Sequence, residues 1–131
     1  MITKSLSTTQ HSQFLNITSL VMEALAESGV KSGIPTVFVS HTTAGITINE
    51  NADPDVTRDL LNILDRNFPW DHPDYKHYEG NTAAHMKASL MGNSTQIIVE
   101  EGRLQLGTWQ GIYFCEFDGP RERKIRVKVL G

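Results

Sequence analysis

Two histidines and a carboxylate fall close together in Y-K-H-Y-E-G-N-T-A-A-H, Tyr75 to His85, and no other stretch of the chain is as dense in groups that could do chemistry. Gly80 permits a turn or a close backbone approach. Asn81 is suited to cap a helix over T-A-A-H-M-K-A-S-L-M, which Gly92 would end. His85 then sits in the first turns of that helix and His77 on the loop leading in. Two imidazoles and the Glu79 carboxylate brought to one point could hold a divalent cation or a bound anion. The spacing matches neither H-E-x-x-H nor C-x-x-C, so helix capping with two surface histidines is the plainer account of this stretch taken alone.

Other polar groups stand where a core would be apolar. His41 follows the apolar run T-V-F-V, and Asn49, Glu50, Asn51 and Asp53 arrive together just after I-T-I. Capping of the next helix by Asp53, with Pro54 at its first position, explains one of these and leaves Glu50 and His41 unexplained. Trp109 and Gln110 are either packing plus a backbone bond or a wall for a flat heterocycle. In I-Y-F-C-E-F-D, Ile112, Phe114 and Glu116 share one strand face; in the next strand Arg121 and Arg123 share parity with Ile125, Val127 and Val129. Charges on an apolar face are expensive unless paired or at a rim. Two readings follow: a structural Glu116–Arg pair, or an arginine that grips phosphate bidentately. No G-x-S-x-G nucleophile motif, P-loop or dinucleotide fingerprint is present.

The elements that must position these groups can be read in order. Residues 2–8 alternate as a strand. Asn16 is expected to cap a helix with Ile17, Leu20, Val21, Ala24 and Leu25 on one face, ended by Gly29. T-V-F-V-S-H is apolar on both faces and is expected to be a central strand covered above and below. It pairs with I-T-I-N-E as a hairpin with His41 near the tip. The Asp53 helix buries Val56, Leu60, Ile63 and Leu64, and F-P-W-D-H-P-D breaks it. After the Asn81 helix come T-Q-I-I-V-E and then a final hairpin across D-G-P. The order β-α-β-β-α-α-β-β-β predicts an α+β domain spanning 1–131, its mixed or largely antiparallel sheet flanked by about three helices.

Composition narrows the classes. The chain has 131 residues, 39% hydrophobic and 21% charged, enough for one domain with its own core. No run is apolar and long enough for a membrane helix, and the N-terminus has no signal-peptide pattern, so a cytoplasmic protein without a membrane partner is expected. The single Cys115 excludes an internal disulfide and is read as a small buried strand residue. A net charge of −3 argues against nucleic acid as a partner, although R-E-R-K-I-R-V-K concentrates basic residues near the C-terminus.

H-T-T-A-G-I-T-I-N-E, H-Y-E-G-N-T-A-A-H, L-Q-L-G-T-W-Q-G-I and E-F-D-G-P-R-E-R occur here in one order, and together they resemble the YjbQ family, also called secondary thiamine-phosphate synthases. The likeness runs from the Asn16 helix to the last strand. It implies a compact α+β fold, a homotrimer, and a weak condensation of hydroxymethylpyrimidine diphosphate with thiazole phosphate, releasing diphosphate. It also implies a site among His41, Asn49, Glu50, Asp53, His77, Glu79, Asn81, His85, Trp109, Gln110, Glu116 and Arg121. On chemical grounds we expect His41, His77 and His85 to hold a divalent metal of zinc character, with magnesium the other candidate where the substrate is a diphosphate. Arg121 and Arg123 would hold phosphate oxygens, Glu50 or Glu79 would act as base or orient a ligand, and Trp109 would stack on the pyrimidine. A metal-dependent hydrolase of a small phosphorylated metabolite and a non-catalytic trimeric binding module use the same residues.

Overall fold

Alternation in I-T-K-S-L-S produces β1 (Ile2–Ser7), and Q-F-L-N produces β2 (Gln13–Asn16), a strand not expected from the sequence. The computed structural model describes residues 1–131. In α1 (Thr18–Ser28) the capping position falls to Ile17 and not to the expected Asn16, whose Oδ1 instead accepts the Thr18 amide at 3.0 Å and the Thr18 hydroxyl at 2.7 Å in a turn just ahead of the helix. Gly29, at φ 71°, closes that helix in the left-handed region that favours glycine. There follow β3 (Ile34–Phe38), β4 (Ala44–Glu50), α2 (Pro54–Asn67), α3 (Thr82–Met91), β5 (Ser94–Gln96), β6 (Val99–Glu100), β7 (Arg103–Leu104), β8 (Gln110–Glu116) and β9 (Glu122–Leu130). Asp53 caps α2 as expected, accepting the Asp55 amide at 2.9 Å.

The strands form two antiparallel sheets, β1-β9-β3-β5 and β2-β8-β4, and a separate β6–β7 hairpin. Their inner faces close on one core that holds Val37, Ile46, Ile112, Phe114, Ile125 and Val127, with Val21 and Ala24 of α1 joining it. The other face of β8 carries Tyr113, Cys115 and Phe117, which pack with Ala84 and Ala88 of α3 and with Leu61 and Leu64 of α2. The result is an α+β domain of three helices and antiparallel sheets.

Neither expected hairpin forms. β3 pairs with β9 and β5, whereas β4 pairs with β8 from Ala44↔Glu116 to Glu50↔Gln110. Likewise β8 and β9 lie in different sheets. The side-chain parity holds nonetheless, because strands in facing sheets bury the same alternate residues that strands in one sheet would. Stacking encloses the apolar face of each strand between two layers, which a flat hairpin could not do. β3 is interior to its sheet, but its outer face is uncovered and leaves Ile34 and Phe38 exposed. On α2, none of Val56, Leu60, Ile63 and Leu64 is fully buried, and Ile63 is 45% exposed. That helix lies in the outermost layer and touches the core only along Leu61 and Leu64.

α3 crosses β4 closely because Gly45 has no side chain. A Cβ there would meet the Gly92 carbonyl oxygen and the Met91 Cβ, each at 2.8 Å. Gly45→Ala is therefore expected to push α3 off the sheet and destabilise the protein by about 1–3 kcal/mol, read as a lower urea midpoint with unchanged slope.

Candidate functional site

His85 on α3 stands between two other histidines, sharing one cleft with His41 and packing its ring against His77. His41 lies between β3 and β4, and its Nε2 accepts the Lys124 backbone N–H at 3.0 Å. In the neutral ring that bond places the proton on Nδ1. Partial burial, reinforced by the nearby Arg123 charge, holds the His41 pKa below the ordinary histidine value. His85, one turn into α3, lines the same cleft of about 490 Å³ together with Thr42, Ser89 and Asn93. Its ring also stands edge-on to His77, the centroids 5.5 Å apart, above a shallower hollow that includes Thr82. Glu79 Oε1 is 3.9 Å from His77 Nε2. His85 thus connects the His41 cleft with the His77–Glu79 pair.

The start of α3 departs from the expected capping. Asn81 makes no side-chain cap; its Nδ2 donates instead to Asp118 Oδ2 at 3.0 Å. Asp118 also receives Arg121, whose Nη2 lies 3.1 Å from Oδ2 and whose Nε donates to the Asp118 carbonyl at 2.9 Å. The buried Asn81 Oδ1 and Thr82 Oγ1 have no hydrogen-bond partner in the chain. Helix amides without a cap attract anions. Two donors, the half-exposed Arg121 guanidinium and the open turn of α3, lie on the Asp118 side, next to the hollow of His77, Thr82 and His85, whereas the His41 cleft runs along the C-terminal half of α3 past Ala88, Ser89 and Asn93.

Arg123 does not join them, which corrects its assignment to phosphate. It is 3% exposed, with Nε on Glu116 Oε1 at 2.8 Å and Nη2 shared between Glu116 Oε2 and Thr43 Oγ1, the latter at 2.9 Å. Glu116, wholly buried, further accepts the Thr8 hydroxyl at 2.8 Å and the Phe117 and Asp118 amides at 3.1 and 3.0 Å. The pair seals the two sheets together. Glu116 accepts five protein donors, and the burial of both members keeps them from a ligand.

Asn49, Glu50, Asp53, Trp109 and Gln110 form a second group. The β4–β8 register puts Ala44 beside Glu116 and Glu50 beside Gln110; six strand steps separate the two ends by about 20 Å. At the far end the hydrogen bonds are local: Asn49 Oδ1 accepts the Glu50 amide at 2.7 Å, Glu50 Oε2 the Ala52 amide at 3.3 Å, and Gln110 Oε1 the Gly107 amide at 2.8 Å. Trp109 stands 63% exposed. None of these residues lines either hollow that the histidines line.

Comparison with known proteins decides the family. Residues 2–131 match the family described as UPF0047 protein YjbQ-like. The chain belongs to the YjbQ-like UPF0047 family. YugU of Bacillus subtilis is 55% identical over 129 residues, covering 98% of each chain, and a UPF0047 protein of Methanocaldococcus jannaschii is 49% identical over 128 residues, covering 96% of this chain and 91% of its own. Among solved structures, a YjbQ/UPF0047-family protein of Clostridium acetobutylicum superposes with a TM-score of 0.96 at 64% identity, covering 99% of this chain and all of its own. A conserved protein of Thermus thermophilus superposes with a TM-score of 0.93 at 42% identity, again covering 99% and 100%.

In this YjbQ-like chain no three His, Cys, Asp or Glu side chains come together as an ion-holding group. Nor is any helix long and apolar enough to cross a membrane. Burial pushes the Cys115 thiol far up, which removes it as a nucleophile. Thr42, Thr82, Ser89 and Asp118 adjoin the site without having been singled out in the sequence. For Asp118 the signal was present in E-F-D-G-P but was absorbed by the turn. His41 should stay neutral in the native protein as pH falls through the usual histidine range. The unfolded chain then takes up the proton first, so the His41 contribution to stability is present above the ordinary value and is lost as pH falls through the lower native one. A ring-proton NMR titration with a His41→Gln control would show this as a midpoint below the ordinary histidine value.

Proposed function

We propose that this chain carries a thiamine-phosphate-synthase-like activity, joining hydroxymethylpyrimidine diphosphate to thiazole phosphate at the His41–His85 cleft. The observation that carries the reading is the shared cleft of about 490 Å³ in which a fixed-tautomer His41 faces His85. In the reaction the thiazole nitrogen forms a bond to the pyrimidine methylene carbon as the carbon–oxygen bond to diphosphate breaks. The departing diphosphate takes the electron pair. Donors preorganised around that leaving group lower the barrier more than they stabilise bound substrate. His41 Nδ1–H on one side of His85, and Arg121 with the uncapped amides of α3 on the other, would supply them to a substrate that spans both hollows, and His85 between them would deliver or hold a proton on the diphosphate oxygen. Glu79 would orient His77, and Asn81, bonded to Asp118, would hold the Arg121 side of the site in place. Small phosphorylated metabolites are the substrate class this donor set suits.

Asn49, Glu50, Asp53, Trp109 and Gln110 would take part only from a second copy, as in a homotrimer. The histidines of one chain do not converge as a three-ligand centre, so no step is assigned to a resident metal. Zinc would need a donor from elsewhere or a shift of side chains; magnesium would arrive with the diphosphate. The test is incubation of purified protein with both substrates, following thiamine phosphate and diphosphate together, beside elemental analysis of untagged wild type and His85→Ala. Equimolar formation of both products supports the reading. Phosphate release that outpaces condensation would replace it with a hydrolase. Absence of turnover, with His-to-Ala changes that dissociate an oligomer, would replace it with a binding module.

A further inference from the structure

Away from the histidines, α1 and the β6–β7 hairpin enclose a cleft of about 450 Å³. Its walls are Met22, Leu25, Ala26 and Val30 on one side and Leu104 and Leu106 on the other. Met22 remains 54% exposed, so apolar surface is left open to water along this wall. The volume is that of a small-molecule pocket.

The hairpin wall is a built feature. Glu101 and Gly102, at φ 51° and 74°, are the two loop residues between β6 and β7, the positive-φ pair that a type I′ turn requires. The hairpin is tied back to the body of the protein by Gly102 N–H to the Lys31 carbonyl at 2.8 Å and by the Gly33↔Val99 bridge. The Lys31 stem lies over Gly102, where a Cβ would stand 3.2 Å from its Cδ. Lys31 and Arg103 therefore flank Gly102 at the rim of the cleft.

Both cations are without partners. The ion pairs in the chain involve Lys4, Arg58, Lys87, Arg121 and Arg123, and neither Lys31 nor Arg103 is among them. The nearby Glu100 instead accepts the Ser32 hydroxyl at 3.0 Å. Thr18, the one hydroxyl on the lining, already donates to Asn16 and accepts the Ile112 amide. An apolar trench with two unpaired cations at its rim is complementary to one ligand chemistry.

We propose that this cleft binds a small amphipathic anion, an apolar body ending in a carboxylate. The body would lie between Met22 and Leu104, and Lys31 and Arg103 would take the head group. The site is independent of the His41–His85 reading.

The test uses full-length protein and octanoate, with octanol as an uncharged probe of equal tail length. Octanoate is expected to shift the amide resonances of Ala26, Leu104 and Leu106 saturably and more tightly than octanol. In Lys31→Met/Arg103→Met, octanoate affinity should fall on the order of tenfold while octanol affinity is unchanged. Both side chains are on the surface, so unperturbed amides elsewhere confirm that the variant is folded. Octanoate shifts absent from the cleft, equal binding of octanol and octanoate, or exclusion of both by an intermolecular contact that light scattering detects would each overturn the proposal.

Discussion

Arg123→Met is expected to destabilise the protein by about 3–5 kcal/mol, the effect of leaving a buried charge without its partner. Glu116 is wholly buried and Arg123 nearly so, and the guanidinium supplies two of the donors on the carboxylate. Removing it leaves Thr8 and the Phe117 and Asp118 amides to hold an anion out of water. Glu116→Gln on the same background should recover much of the loss, since a neutral amide is far less costly to bury than a carboxylate. Chemical denaturation of the two single variants and the double variant measures the coupling. If the single variant were as stable as wild type, the account of the sealed pair would be wrong.

The pair also sets an acid limit. Burial pushes the Glu116 pKa up, but the Arg123 bond, the Asp118 amide, the Thr8 hydroxyl and the Arg123 charge together outweigh it and hold the native value below the ordinary one. A carboxylate depressed in this way contributes stability above its unfolded pKa, and the contribution is lost as pH falls through the native value. Stability should therefore decline on acidification below the ordinary carboxylate range. That decline should be shallower in the Glu116→Gln/Arg123→Met protein.

If the proposed condensation is this protein's reaction, His85→Ala is expected to lower it by about a hundredfold or more, the range for loss of a group that moves or holds a proton in the transition state. His85 is placed for this because it lines both the His41 cleft and the His77 hollow. Its ring is half-buried and forms no bond that closes the core, so the thermal midpoint should barely move. The loss should appear in kcat with little change in KM, since an interaction made in the transition state alone affects the two in that way. His77→Ala, one step further from the His41 cleft, should have a smaller effect. Full activity in His85→Ala would remove the histidine row from the mechanism.

Local chemistry was legible along the chain because it depends on neighbours in sequence. Asp53 before Pro54 caps α2, Gly29 and Gly92 end helices, and the parity of Ile112, Phe114 and Glu116 against Arg123, Ile125 and Val127 is set by the two-residue period of a strand. The motifs that resemble the YjbQ family likewise run through the chain in order, and the family match covers residues 2–131.

Tertiary structure decided what those local signals leave open. Strand pairing depends on contacts remote in sequence, and the parity of a strand is the same whether its partner lies beside it or across a core. So β8 and β9 face one another instead of pairing, and this makes Glu116–Arg123 an inter-sheet bolt rather than a phosphate grip. Asn81 is suited to cap a helix, yet the arrival of Asp118 draws its amide away and opens the first turn of α3. The polar residues that cluster by type were sorted by register: one strand length, about 20 Å, separates the Glu50–Gln110 end of the β4–β8 pair from the Ala44–Glu116 end, before which His41 lies. Residue types and spacing determined which chemistry this protein could hold. Only the packing of two sheets and a glycine-close helix crossing decided which of those residues share a site, because side chains meet through long-range contacts that no local pattern encodes.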